Sequence, residues 1–285
     1  MTSRLVPIGD TRLFIDERGR GYPVLVLHGG PGLDHHMYAD YLDPLQDRLR
    51  LILVDQRAQG QSDPAPADTW SLAQMAADVG ALAEALELER FAVLGHSYGA
   101  LVALQHAVDF PGEAAQSIIS SGFPSAKYLA HVDANLAAFE PESLRAQVAD
   151  SWEREKSVRT REDVHRLLHD QMPFHFAHPL DPRIADFERR TADQITSPDV
   201  LRTFANREYG GIEVEERLGR VTQPVLVLVG AHDRVSSLAA CRSIAEGVEQ
   251  GEMVVFDNSG HMTFVEENPR YLEVVADFLR RHAQL

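Results

Sequence analysis

The feature that most limits what this chain can fold into lies at residues 91–108, Phe-Ala-Val-Leu-Gly-His-Ser-Tyr-Gly-Ala-Leu-Val-Ala-Leu-Gln-His-Ala-Val. Phe91 to Leu94 is a short apolar run with the length and flanks of a buried strand. Leu101, Leu104, Gln105 and Val108 recur at turn spacing with alanines between them, the pattern of a helix. Between the two lies Gly95-His96-Ser97-Tyr98-Gly99, which fits G-x-S-x-G. A strand that reverses into a helix this fast strains its central residue and leaves no room for side chains two positions away, where Gly95 and Gly99 stand. The Ser97 hydroxyl is thereby lifted to the end of a sheet, at the start of a helix whose free N–H groups favour developing negative charge. A plain Gly-Ser turn also satisfies the pattern. The strand before and the helix after make Ser97 a nucleophile.

The flanking sequence repeats that rhythm. Residues 4–8 and 11–16 read as two short strands joined at Gly9-Asp10. Pro23 to His28 is a continuous apolar run, a strand buried on both faces, and it enters the loop His28-Gly29-Gly30-Pro31-Gly32. A short helix is expected over Asp40–Arg48, a buried strand over Leu51–Val54 and an alanine-rich helix over Leu72–Leu88. Gln116–Ser121 is the strand after the Ser97 helix. Strand and helix in alternation mean a mostly parallel sheet with helices on both faces.

From about Phe123 to Gly211 no strand is evident. Amphipathic helices at Glu142–Lys156 and Arg161–Met172, and one opening at Pro198, are punctuated by prolines. This segment, 123–211, reads as a helical lid inserted into a core formed by residues 1–122 and 212–285. The sheet resumes at Pro224–Val229 and Met253–Phe256, and a helix runs from Pro269 to about His282.

Composition narrows the partners. The 285 residues carry 27 Lys and Arg against 43 Asp and Glu, a net charge of −16. Nucleic acid and anionic membranes, which need a basic face, are therefore not expected as partners. The first residues lack the apolar core of a signal peptide, and no window reaches the length of a membrane span, so a cytoplasmic protein is expected. Cys241, the lone cysteine, reads as a small buried apolar residue in a helix over Leu238–Gly247. No metal or cofactor is expected: His35 and His36 are adjacent, and His165 and His169, at i and i+4, lack a carboxylate in a zinc pattern and read as lid surface.

A serine hydroxyl attacks only when a base takes its proton, and the base needs an orienting acid. The strand ending at Val229 delivers Asp233 just past its end; the next delivers His261 in Asp257-Asn-Ser-Gly-His261. The order Ser, Asp, His, each after its own strand, assigns Asp233 as acid and His261 as base. His232 precedes the acid without a strand of its own, and Asp257 is a turn residue and the weaker acid. The oxyanion donors expected are the N–H groups of Tyr98 and, from the 28–32 loop, Gly30, since Pro31 has none.

With these residues placed, the chain resembles serine hydrolases of the α/β-hydrolase fold, and within them the prolyl aminopeptidase (proline iminopeptidase) family. The resemblance rests on His28-Gly-Gly-Pro-Gly32, Asp55-Gln-Arg57 with Gly60 and Ser62, Gly95-His-Ser-Tyr-Gly99, Gly230-x-x-Asp233 and Gly260-His261. It implies release of an N-terminal residue, often proline, from small peptides without a metal. It also implies lid carboxylates that grip the substrate's amino group, and Asn206-Arg-Glu208-Tyr209 is similar to a segment supplying one of them, Glu208. Arg234 stands where some relatives have a second carboxylate, and His96 where many have glycine. The alternatives are a carboxylesterase, amide or lactone hydrolase on the same machinery, or a ligand receptor that does not turn over.

Overall fold

The computed structural model describes residues 2–283. An antiparallel pair, β1 (Thr2–Pro7) and β2 (Arg12–Gly19), leads into β3 (Tyr22–Leu27) and β4 (Leu49–Val54). Then come α1 (Leu72–Ala85), β5 (Ala92–His96), α2 (Tyr98–Asp109) and β6 (Gln116–Ser120). A wholly helical stretch follows: α3 (Ala130–Ala137), α4 (Glu142–Arg154), α5 (Arg161–His175), α6 (Arg183–Arg190), α7 (Pro198–Ala205) and the single turn α8 (Glu208–Gly211). The chain returns through β7 (Val225–Gly230), α9 (Leu238–Gly247), β8 (Gly251–Phe256), the short turn α10 (Thr263–Glu266) and α11 (Asn268–Ala283).

The eight strands form one sheet in the order β1-β2-β4-β3-β5-β6-β7-β8, parallel from β4 onward. The continuous apolar runs are explained by burial on both faces, because successive residues point to opposite sides. Leu25, Leu27, Ile52, Val93, Ile119 and Val227 pack against α1, α2 and α9. Their neighbours Val24, Val26, Leu51, Leu94, Ile118 and Leu226 pack on the other side against Tyr271, Val275 and Phe278 of α11. Parallel strands with helices on both faces end together at one edge, and that edge carries the loops described next.

Several elements differ from the sequence expectation. In place of a helix over Asp40–Arg48 there is a 3₁₀ turn at Asp43–Asp47, with Pro44 in its first positions and no intrahelical donor to extend it. The helix expected to reach Leu88 stops at Ala85, where Glu87 adopts φ 52° and turns the chain. Helix α5 runs past the expected Met172 to His175, because Pro173 in its last turn removes only one donor.

Candidate active site

Ser97 caps α2 with φ 55° and ψ −119°, a strained backbone for a side-chain-bearing residue. Both flanking glycines are required sterically. A Cβ on Gly95 would lie 2.0 Å from the Gly99 carbonyl oxygen, and one on Gly99 would lie 2.3 Å from that of Leu27. The Tyr98 N–H is the first of α2, where no intrahelical acceptor exists.

The loops after β7 and β8 bring the other two expected residues to Ser97. His261 Nε2 is 2.9 Å from Ser97 Oγ. His261 Nδ1 faces the Asp233 carboxylate at 3.0 and 3.1 Å. Asp233 in turn accepts the N–H groups of Val235 and Ser236 at 2.8 and 2.9 Å. Burial alone would raise the Asp233 carboxyl, but the imidazole and these N–H groups outweigh it and hold it below its ordinary value. The competing residues lie elsewhere: His232 is exposed, and Asp257 is an exposed partner of Arg270.

Gly30 and Tyr98 border the same cavity as Ser97. The loop carrying Gly30 is braced from behind by the segment after β4. The buried His28 ring accepts the Gln56 N–H at Nε2 (3.2 Å), which leaves Nδ1 to donate to Gly29 O at 2.8 Å. Gln59 accepts the Gly32 N–H at 2.6 Å. The arrangement can deprotonate the Ser97 hydroxyl, with the free first N–H of α2, that of Tyr98, next to it in the chain.

The cavity, about 360 Å³, opens beneath α4 to α7 and is mostly apolar, with Leu101, Phe123, Trp152 and Met172 in its walls. One acidic group stands out in it. Glu155, just beyond α4, is 5% exposed, and its carboxyl accepts Gln171 Nε2 at 2.6 Å and the Tyr209 hydroxyl. Both partners are neutral, and burial pushes this carboxyl up to about 7. Beside it His175 stacks on Trp152 at 6.0 Å and lies 5.3 Å, ring to ring, from His261. Burial pushes His175 down to about 4, so its imidazole is neutral. His96, at the back of His261 with ring centroids 5.0 Å apart, is also held neutral by burial.

Glu208 is not brought to the site. It is exposed and does not line the cavity. Glu208, Tyr209 and Gly210 all have positive φ (50°, 53° and 99°), and this tight reversal turns Tyr209 inward and leaves Glu208 outside. The buried carboxylate in the cavity is Glu155, which sequence reasoning missed; Glu188 of α6 also borders the cavity but is only partly buried and pairs with His169. Its signal was present: Val148, Ser151 and Glu155 repeat at i, i+3 and i+7, the buried stripe of this helical stretch, so an acid interrupts an inward face. Arg234 also avoids the cavity's chemistry. Its guanidinium donates to the carbonyls of Phe174, Phe176 and Ala177 at 3.3, 2.6 and 3.1 Å, capping the end of α5.

Asp34, His35 and His36 place carboxylate and imidazole atoms within 4.8 Å of one another, the one such grouping among the described residues. Those atoms are engaged in protein pairs, His36 Nδ1 with Asp34 and His35 Nδ1 with Asp55, both at 2.7 Å. His165 and His169 are exposed on α5 but also border the cavity, as does Glu188 of α6, which pairs with His169 at 2.7 Å. Among the described residues no helix is long and apolar enough to cross a membrane.

Comparison with known proteins agrees with this architecture. The chain is 27% identical over 281 residues to the AB hydrolase superfamily protein YisY of Bacillus subtilis, covering 93% of this chain and 94% of that protein. It is 29% identical over 279 residues to a proline iminopeptidase of Saccharolobus solfataricus, with 92% and 86% covered. The crystal structure of a proline iminopeptidase from Mycobacterium smegmatis superposes with a TM-score of 0.77 at 26% identity, covering 99% of this chain and 98% of that one. The family described as the alpha/beta hydrolase fold matches residues 22–268, from the start of β3 to the first residue of α11, and the chain belongs to that family as a hydrolase.

Proposed function

We propose that this hydrolase is a serine aminopeptidase that releases an apolar N-terminal residue, proline included, from short peptides. In this reading Ser97 Oγ attacks the carbonyl while His261 Nε2 takes its proton. Asp233 fixes the tautomer and steadies the imidazolium. The N–H groups of Tyr98 and Gly30 receive the oxyanion. His261 returns the proton to the leaving amine, and water then releases the acyl group from Ser97 by the same steps in reverse.

One observation carries the substrate assignment. Glu155 is a buried acid with only neutral donors, set in an apolar cavity shared with Ser97. Burying a carboxylate without a counter-charge is unfavourable, and a docked ammonium group supplies what the protein does not. Similarity to several proline iminopeptidases points to the same class of substrate.

The test compares two substrates in Glu155→Gln. Truncating one partner of a buried charged pair typically costs about 2–5 kcal/mol. The variant should lose roughly thirtyfold or more in kcat/KM on a free-amino anilide such as proline anilide, at about 1.4 kcal/mol per tenfold. Its hydrolysis of a neutral nitrophenyl ester should stay near wild type. Equal losses on both substrates, or a wild-type preference for N-acetylated over free amines, would replace this reading with an esterase or amidase.

A further inference from the structure

A second buried acid lies behind His261, away from the substrate cavity. Glu266, the last residue of α10, is 7% exposed. One carboxyl oxygen accepts the N–H of Gly260, the residue before His261, at 2.7 Å. The other accepts the N–H of Ala177, just beyond α5, at 2.8 Å. The same two segments touch directly: His261 N–H donates to His175 O at 2.7 Å. A Cβ on Gly260 would lie 2.6 Å from that oxygen and 2.7 Å from Ala177 N, so the backbones meet with no side chain between them.

From this geometry we infer that Glu266 is a positioning residue for His261, its carboxylate tying the His261 loop to the end of lid helix α5 through one hydrogen bond to each. The inference rests on the reading of His261 as the base. Beyond the direct His261–His175 backbone bond, no other side chain among the described residues bonds both Gly260 N–H and Ala177 N–H. Glu267, next in the chain, holds Asn258 N–H and Ser259 Oγ at 2.9 and 2.8 Å and does not reach Gly260.

The chemistry of the clamp depends on ionisation. Two N–H donors converge on one carboxyl, so both bonds form only when both oxygens accept. A proton on either oxygen makes it a hydroxyl, a much weaker acceptor, and loosens that half of the clamp. Burial pushes Glu266 up to about 7, against the pull of its two N–H partners. Arg183 favours the charged form and also donates to the Glu266 backbone carbonyl, while Asp181 opposes it. Arg234 faces the group from the loop after β7, and the nearby His175 imidazole is neutral. Protonation of Glu266 as pH falls therefore weakens the support of the base, in addition to the protonation of the base that any general-base mechanism carries.

The experiment is Glu266→Gln, assayed for kcat, KM and the acid limb of kcat/KM, with Glu266→Asp as second variant. Buried hydrogen bonds to a charged group are worth enough that losing one should lower kcat roughly tenfold to a hundredfold, with KM changing far less. The wild-type acid limb should be steeper than first order in protons and become first order in Glu266→Gln. Glu266→Asp, too short to span both N–H groups, should also lose kcat with KM changing far less. Fluorophosphonate titration of Ser97 counts the folded sites, so a loss of folded protein is separated from a slower site. Wild-type kcat per titrated site, or an unchanged acid limb in Glu266→Gln, would overturn the inference. Labelling and turnover that survive Ser97→Ala would instead overturn the serine reading itself.

Discussion

Replacing Glu155 by glutamine should stabilise the protein at alkaline pH and leave it nearly unchanged at acid pH. The substitution keeps every hydrogen bond: the amide oxygen still accepts Gln171 Nε2, and the amide nitrogen donates to the Tyr209 hydroxyl in place of receiving from it. Only the charge is lost. Burial raises the Glu155 carboxyl from 4.5 to about 7. A raised carboxyl binds its proton more tightly in the folded state, so its stabilising effect is complete below pH 4.5 and is lost as pH climbs through 7. The span is 7 − 4.5, about 2.5 units, or about 3 kcal/mol at 1.36 kcal/mol per unit. At about 2.1 cal/mol/K per residue, a chain of 285 residues has an unfolding entropy near 0.6 kcal/mol/K, so this is about 5 °C in Tm. Glu266 titrates in the same window but is present in both proteins and cancels from the difference. Thermal melts of the two proteins at pH 5 and pH 8.5 make the comparison. A Tm difference that is the same at both pH values would mean Glu155 does not carry its proton into the fold, and the argument for a missing counter-charge would go with it.

Ser97 should be labelled covalently by fluorophosphonates, and mass spectrometry should find no adduct in Ser97→Ala; His261→Ala should lower kcat by several orders of magnitude. Near-normal turnover of His261→Ala would refute the base assignment. Gly95→Ala should fail to fold or melt far below wild type, because its Cβ would lie within 2.7 Å of three backbone atoms of Gly99 and Ala100 that cannot move aside. A normal melt with full activity in that variant would show that the elbow is looser than its geometry implies.

What was readable in the sequence divides along a physical line. The elbow announces itself because its constraint is local: a few consecutive residues must reverse the chain, and only glycine fits at positions 95 and 99. The buried strands announce themselves because both faces are covered, which leaves continuous apolar runs. Asp233 and His261 follow from those strands, since each sits just past a strand end and the sheet brings those ends together. The helical stretch between β6 and β7 obeys no such rule. Glu208 looked like the substrate's partner by its neighbours in sequence, yet four consecutive positive φ angles, from Glu208 to Gly211, decide which side chain of that turn enters the cavity, and the one that enters is Tyr209. Glu155 was hidden for the opposite reason. It sits in a strongly charged stretch of mixed sign, and only its register with Val148 and Ser151 marks it as inward. Glu266 was invisible because its partners are backbone groups 6 and 89 residues away.

The overall charge of −16 is a poor guide to the electrostatics His261 experiences. Much of that charge sits on exposed carboxylates paired with arginine or facing water, where salt screens it over about a Debye length. Around the imidazole the picture is different. Asp233 is held ionised by its donors, while Glu155 and Glu266 are lifted toward neutrality by burial. The two nearest imidazoles, His96 and His175, are neutral for the same reason. Near neutral pH the site thus holds one ionised carboxylate, Asp233, against His261 and two further off, Glu155 and Glu266, that are poised to change state. An acidic surface favours approach of a free amine over long range. On the aminopeptidase reading we propose, discrimination at the end of that approach falls to Glu155, whose buried carboxyl, pushed up to about 7, is drawn to its ionised form by an ammonium docked beside it.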